Sequence, residues 1–404
     1  IYNILCSVTV FAVAATAMSQ SNVEILKTGN ERFTANMFQE VVKANAGKNV
    51  VLSAFSVLSP LAQLALASVG ESHDEILRAI GLPNDNTKEV FSDVSKQLRS
   101  VKGVELRMAN RVYVRKGGAL NEQFAAVSRD VFNSDVKNID FSQNVAAADE
   151  INSWVEDNTN HRIKNLVSPD SLGLSTSSVL VNAIYFKGTW LHQFEKYLTK
   201  DKEFHVSKDQ TITVPTMTQT HNFNYGESKE LDAKLLEMPY KGRESSLLIV
   251  LPNEIDGLNA LVEKIKDPLA LNNAIKDMYN TEVVVELPKF KIETTTNLKT
   301  VLENMNVKKL FIHDEAHLDN LLKGNSHMFV SSAIQKAYID VNEEGAEAAA
   351  ANGEIPVHSL SEWVPSPYVF EVDRPFYFVL RQSNLPLFIG IVLQPPTIKN
   401  ITYI

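Results

Sequence analysis

The chain has 404 residues, is 44% hydrophobic and carries a net charge of -9, so it can bury a large core, and length alone would allow more than one domain. Its Lys and Arg residues are scattered, which leaves no support for a nucleic-acid or polyanion binder, and the acidic balance suits a soluble monomer. The single cysteine, Cys6, lies in an apolar N-terminal run, so the rest of the chain has neither disulfides nor thiolate chemistry.

That run is too short to span a bilayer and closes on Ala15-Thr16-Ala17, an A-x-A pattern. It reads as a secretory signal peptide over residues 1–17, with a buried first helix as the alternative. The mature chain is then a single domain over 18–404, secreted and extracellular, with no further apolar stretch of membrane-spanning length. Asn400-Ile401-Thr402 is an N-glycosylation sequon.

Taken in order, Phe33, Met37 and Val41 recur at helical spacing, with Phe38 and Val42 beside them. Asn49 to Leu52 reads as a short strand. Ser56 is placed to cap a helix in which Leu58, Leu61, Leu64 and Ala65 face inward, and Gly70 to stop it. Amphipathic segments follow at Glu75 to Ile80 and Lys88 to Leu98. From Leu106 to Arg115 the period becomes two, with Met108, Asn110, Val112 and Val114 on one face. Helical patterns return at Asn121 to Phe132 and at Ala146 to Asn158. Ser178 to Lys187 is an apolar run expected of a strand covered on both faces, and Asn182 within it needs a partner. After Lys202 strands dominate: Thr211–Val214, Ala233–Met238, Ser246–Leu251, Glu282–Leu287, Ala333–Val341, Tyr368–Val372, Phe376–Arg381 and Leu387–Leu393. Helices interrupt them at Leu258–Lys266, Leu269–Asp277 and Thr296–Asn304. Helices fill one half and strands the other with no βαβ alternation, which predicts an α+β fold.

Enzyme motifs are missing: no G-x-S-x-G, P-loop, G-x-G-x-x-G or H-E-x-x-H occurs. His313 and His317 have helical spacing but complete no metal motif, and no cofactor or metal is expected.

Asp340 to Pro367 is the unusual stretch. Lys336 to Val341 alternates like a strand, Glu347 to Ala351 carries four alanines, the best helix formers, and Asn352 to Pro367 is a long punctuated loop holding Ile355, Val357, Leu360 and Trp363. Lys336 to Ala351 resembles the hinge of an inhibitory serpin, and Asp373-Arg374-Pro375-Phe376-Tyr377-Phe378 resembles the strand after the reactive loop. Asn49 to Ser56, Val181 to Trp190, Val214 to Met217 and Leu287 to Phe290 extend the likeness along the chain. It is most similar to secreted insect haemolymph serpins of the antitrypsin and antichymotrypsin type.

The resemblance implies three β-sheets, eight or nine helices and an exposed reactive-centre loop at about 343–374. It implies a suicide-substrate inhibitor, not an enzyme, whose partner is an extracellular serine protease held as a covalent acyl complex. After cleavage the hinge, Glu343, Glu344, Gly345, Ala346, Ala348 and Ala350, would enter the main sheet as a strand. Period two from Ala346 sends Ala346, Ala348, Ala350 and Asn352 inward and leaves Glu347 to solvent, while Gly345 supplies a pliant turn. Family spacing puts the reactive bond at Ser359–Leu360, with Leu360–Ser361 as the alternative, and neither bond has Lys or Arg nearby. A chymotrypsin- or elastase-like target is expected. The resemblance further implies a polar shutter of Ser53, Ser56, Asn182 and Gln335 beneath the sheet and a breach at Trp190. Gln335 stands where the family usually has histidine, and Glu354 would point inward late in insertion, at a cost. The other reading is a non-inhibitory serpin acting as a carrier or storage protein.

Overall fold

The stripe of Phe33, Met37 and Val41 is the fully buried face of α1, residues 24–44. The computed structural model describes residues 24–82, 88–92, 104–132, 134–324, 327–345, 366–382 and 384–397. After α1 come β1 (Val50–Leu52), α2 (Ala54–Ala67), α3 (Gly70–Ile80), α4 (described over 88–92) and β2 (Val104–Arg115). Next are α5 (Glu122–Asp130), β3 (Asp135–Ile139), α6 (Asn144–Asn158) and β4 (Ser178–Gly188). Then β5 (Lys200–Ser207), β6 (Gln210–Ser228), β7 (Ala233–Pro239) and β8 (Ser245–Pro252) lead to α7 (Leu258–Lys264) and α8 (Pro268–Lys276). The chain closes with β9 (Tyr279–Pro288), β10 (Phe290–Asn297), α9 (Leu298–Asn304), β11 (Ser332–Val341), β12 (Tyr368–Glu371), β13 (Phe376–Gln382) and β14 (Leu385–Val392).

Polar caps fix several helix starts by accepting orphan amide protons. Asn121 accepts from Gln123 and Phe124 N–H, Asp267 from Leu269 N–H with Pro268 in the first turn, and Asn297 from Thr300 N–H. Expected boundaries shift. The helix expected over Thr296–Asn304 begins at Leu298, and the strand expected at Thr211–Val214 runs over Gln210–Ser228. Others lie around α2. Ser53, in extended backbone, caps α2 by accepting from Ser56 N–H, so Ser56 lies inside the helix; Gly70, at φ 64°, begins α3 rather than ending α2. Strand β10 was not legible as a strand because its buried face alternates Phe290, Ile292, Thr294 and Thr296, and the two threonines hide the apolar period.

A five-stranded sheet runs β10-β11-β4-β2-β3. A second ladder of nine strands runs β1-β14-β13-β8-β7-β6-β9-β12, with β5 on β6. Long β6 pairs successively with β5 (through Thr216), β9 (Thr216–Tyr225) and β7 (Asn224–Ser228), so two of the three expected sheets share one strand. The expected α+β serpin-type architecture holds, with nine helices among the described residues.

The five-stranded sheet is buried on both faces. Leu180, Ile184, Ala333, Ala337 and Ile339 join the large core shared with the other sheet, whereas Val179, Val181, Tyr185 and Tyr338 meet α6 through Ile151 and Val155. Each such Ile or Val stabilises by roughly 1.5–3 kcal/mol, so α6 is firmly seated on the sheet. No helix among the described residues is long and apolar enough to cross a membrane.

Candidate functional site

The central pair of the five-stranded sheet, β4 and β11, is parallel, in register from Val179↔Ser332 to Tyr185↔Tyr338. Beyond Tyr185 and Tyr338 the two strands stop pairing with each other. Phe186 to Gly188 stays bonded to β2 on its outer side, and Ile339 to Val341 to β10 on the other. The result is a seam, closed below and open above.

Gln335 and Asn182 face each other directly across this seam and point toward the start of α2. Gln335 Nε2 lies 2.6 Å from Asn182 Oδ1, 2.7 Å from the Ser53 carbonyl and 3.1 Å from Ser56 Oγ; its Oε1 accepts from Ser53 N–H at 3.2 Å. Ser56 Oγ lies 2.9 Å from Asn182 Oδ1, and Asn182 Nδ2 donates to the Ser56 carbonyl at 2.9 Å and to Asn110 Oδ1. All four expected residues come together, each fully buried. An amide offers both donor and acceptor, and Gln335 uses both. Asn110 of β2 completes the cluster, and its place on the inward face of a period-two strand was the signal for it.

At the open end the chain leaving β11 is held on several sides. Asn342 and Gly345 form a bridge, and Gly345, at φ 97°, lies so close to the β4 terminus that a Cβ there would be 2.5 Å from the Gly188 carbonyl oxygen and from Trp190 N. Trp190 N–H donates to the Glu344 carbonyl at 3.1 Å, Gln193 Nε2 to the same oxygen at 3.2 Å, and Phe194 N–H to the Glu343 carbonyl at 3.0 Å. The Trp190 indole stacks on Tyr240 at 4.3 Å and donates Nε1–H to the Asn342 carbonyl at 2.9 Å.

The side chains are anchored as well. Thr199 Oγ1 donates to Glu343 Oε1 and Lys289 Nζ pairs with Oε2, both at 2.9 Å. Burial pushes the Glu343 carboxyl up, but hydrogen bonds from Lys289, the backbone and Thr199, with the Lys289 charge, outweigh it and hold the pKa below the usual glutamate value. Lys196 pairs with Glu344. Thr199, Gln193, Phe194 and Lys196 had no local signature, and Lys289, though inside the Leu287 to Phe290 likeness, had no assigned role, because these roles come from loops brought together by sheet pairing.

On the opposite face, Lys336 crosses toward the segment after α6, donating to the Lys164 carbonyl and pairing with Glu293, each at 2.8 Å. Burial raises the pKa of Asp340 nearby against the pull of Lys291 and Arg162. Glu293 and Lys291 lie on β10, beyond β11 from the seam, so of these contacts it is the Lys336–Lys164 bond that ties β11 to the segment after α6. The expected Ala346, Ala348, Ala350, Asn352 and Glu354, the bonds around Ser359, Leu360 and Ser361, Asn400 and the 1–17 segment lie outside the described residues.

Among the described residues no group of three or more His, Cys, Asp or Glu side chains could hold a metal. The working element is a parallel strand pair open at one end beside an anchored chain. A family model described as "Serpin (serine protease inhibitor)" matches residues 28–395. The chain is 57% identical to an antitrypsin of Bombyx mori, over 97% of this chain and 99% of that one, and 59% identical to antichymotrypsin-2 of Bombyx mori, over 91% and 97%. It superposes on the crystal structure of Serpin48, a highly specific serpin of Tenebrio molitor, with TM-score 0.84 and 36% identity over 92% of this chain and 99% of that one. The chain belongs to the serpin family of serine protease inhibitors.

Proposed function

We propose that this chain is a secreted, monomeric suicide-substrate inhibitor of an extracellular chymotrypsin- or elastase-like serine protease, with residues 1–17 as signal peptide and 18–404 as one domain. The reactive loop at about 343–374 offers the bond Ser359–Leu360, or Leu360–Ser361, to the protease serine. Attack gives an acyl-enzyme and breaks the C–N bond, with the new amine leaving on a C-terminal peptide whose β12 to β14 remain paired in the sheet. The severed loop, led by Glu343 to Gly345, then inserts between β4 and β11 with Ala346, Ala348 and Ala350 facing inward. The trapped state forms when insertion outruns deacylation.

The observation that carries the reading is the parallel β4–β11 pair open at the Gly345 end. Parallel pairing is slightly weaker per residue than antiparallel pairing. One strand descending between them replaces a single parallel ladder of seven residue pairs with two antiparallel ladders, so insertion lowers the free energy. The cluster of Gln335, Asn182, Ser53 and Ser56 acts as the shutter that must part, and Trp190 marks the breach where insertion starts. Relatives named antitrypsin and antichymotrypsin-2 are similar to this chain to nearly equal degree, so the choice of target rests on the loop. Residues 346–365 contain neither Lys nor Arg, which supports an apolar or small specificity pocket.

Incubation with a panel of chymotrypsin-, elastase- and trypsin-type proteases tests this. A complex stable in SDS, a released peptide beginning at Leu360 or Ser361 by mass spectrometry, and a higher unfolding temperature after loop cleavage are expected. Plain proteolysis with no complex would favour the carrier alternative; a cut after a basic residue would overturn the target class.

A further inference from the structure

The short segment that anchors the loop margin, Trp190 to Phe194, carries His192, which stacks on His221 of β6 at 4.2 Å between ring centroids and 14° between planes. Phe223 sits edge-on to both rings, at 6.4 Å from each. Stacked imidazoles present their nitrogens side by side in parallel planes, so their lone pairs do not converge on one metal ion. The arrangement is a stacking contact between the two rings.

We infer that the His192–His221 stack is an acid-sensitive clamp on the loop margin: neutral rings hold the segment down, and protonation of both drives them apart and frees the hinge. This rests on the insertion reading above. His192 sits between residues that hold the margin: Trp190 N–H and Gln193 Nε2 bond the Glu344 carbonyl, and Phe194 N–H bonds that of Glu343. A displacement of His192 therefore pulls on all three bonds at once. His221 is fixed in mid-strand opposite Val283 of β9, while the His192 segment lies outside the strands and meets the sheet through Leu191 N–H on the Pro239 carbonyl and the Trp190–Tyr240 bridge, so repulsion is taken up in the segment.

The surroundings favour separation on acidification. Burial lowers the pKa of both histidines, and His221 and then Arg243 of the turn between β7 and β8 lower that of His192 further. Of the other charged groups packed about the segment, Glu343 is engaged by Lys289 and Glu344 by Lys196, and Glu282 stands opposite Asn222, on the other face of the β6–β9 ladder from His221. With folded-state values below the ordinary histidine value of 6.5, the clamp is intact at neutral pH and is lost as pH falls through those lowered values.

The test uses the intact inhibitor and a synthetic peptide of the loop sequence 346–357, whose annealing into the seam is followed by the rise in unfolding temperature. Wild type should anneal at least about fivefold faster near pH 5.5 than near pH 7.5, a window that brackets histidine titration. His221→Gln, and independently His192→Gln, should remove that acceleration, since Gln does not titrate in this range, and should anneal at neutral pH at least as fast as wild type, since the ring stack that holds the segment is gone. An unchanged acid acceleration in both variants, or none in wild type, would overturn the clamp. If no peptide anneals at any pH, the insertion reading fails and the clamp with it; annealing without pH dependence removes the clamp alone.

Discussion

Replacing Lys289 by Met attacks the anchor of the loop margin at one defined point. The Glu343 side chain is 8% exposed, with Lys289 Nζ and Thr199 Oγ1 each 2.9 Å from its oxygens. Breaking a buried pair costs about 3–5 kcal/mol, but Lys289 is itself 33% exposed, so solvent screening reduces this to about 1–2 kcal/mol. Thr199 and the backbone still hold the carboxylate, which keeps the loss at that level. A change of 1–2 kcal/mol multiplies the undocked population by about 5- to 30-fold. The variant should therefore lose inhibitory activity on mild heating about that much faster, through self-insertion or linkage into multimers seen on native gels. Its uncut form should melt earlier than wild type, while the loop-cleaved forms should melt together if the anchor is released on insertion. Equal inactivation rates, within about twofold, would refute the assignment of Lys289 and Glu343 as the restraint.

Gln335→Ala should destabilise the native protein by about 2–3 kcal/mol in urea unfolding, because Asn182 and Ser53 lose a buried partner on each side; a loss under about 0.5 kcal/mol would mean that the cluster repacks. Gly345→Ala puts a methyl group against the backbone of Gly188 and Trp190 at a positive φ, so the margin should undock and the unfolding temperature of the uncut protein fall by several degrees, with the cleaved form unaffected. Acid dependence has two opposed parts. Arg381, with Ser246 and Asn224, lowers the pKa of Glu237 despite its burial, and this stabilisation is present above the unfolded value of 4.5 and is lost as pH falls below it. The pKa of Asp340 is raised by burial above 3.8, so ionising it costs stability as pH rises through the folded value. Asp340→Asn should raise the unfolding temperature at neutral pH and leave it unchanged near pH 3; an equal shift at both would refute the account.

Where local chemistry was decisive, the sequence by itself determined the outcome. Apolar period gave the buried faces of α1 and β2, and the doubly covered run Ser178 to Gly188 became the centre of the main sheet. Asn182 needed a partner there, and Ser56, Gln335 and Asn110 supplied three. The conflict between alternating Lys336 to Val341 and the alanines after it correctly ended β11 at Val341. Tertiary structure alone decided the rest. That β4 and β11 are parallel neighbours, paired only as far as Tyr185 and Tyr338, depends on contacts about 150 residues apart, for which no local pattern exists. The same holds for Thr199 and Lys289 on Glu343 and for His192 on His221. Each is an unremarkable surface type in sequence, and its chemistry appears only when the sheets bring distant loops to the open end of one seam.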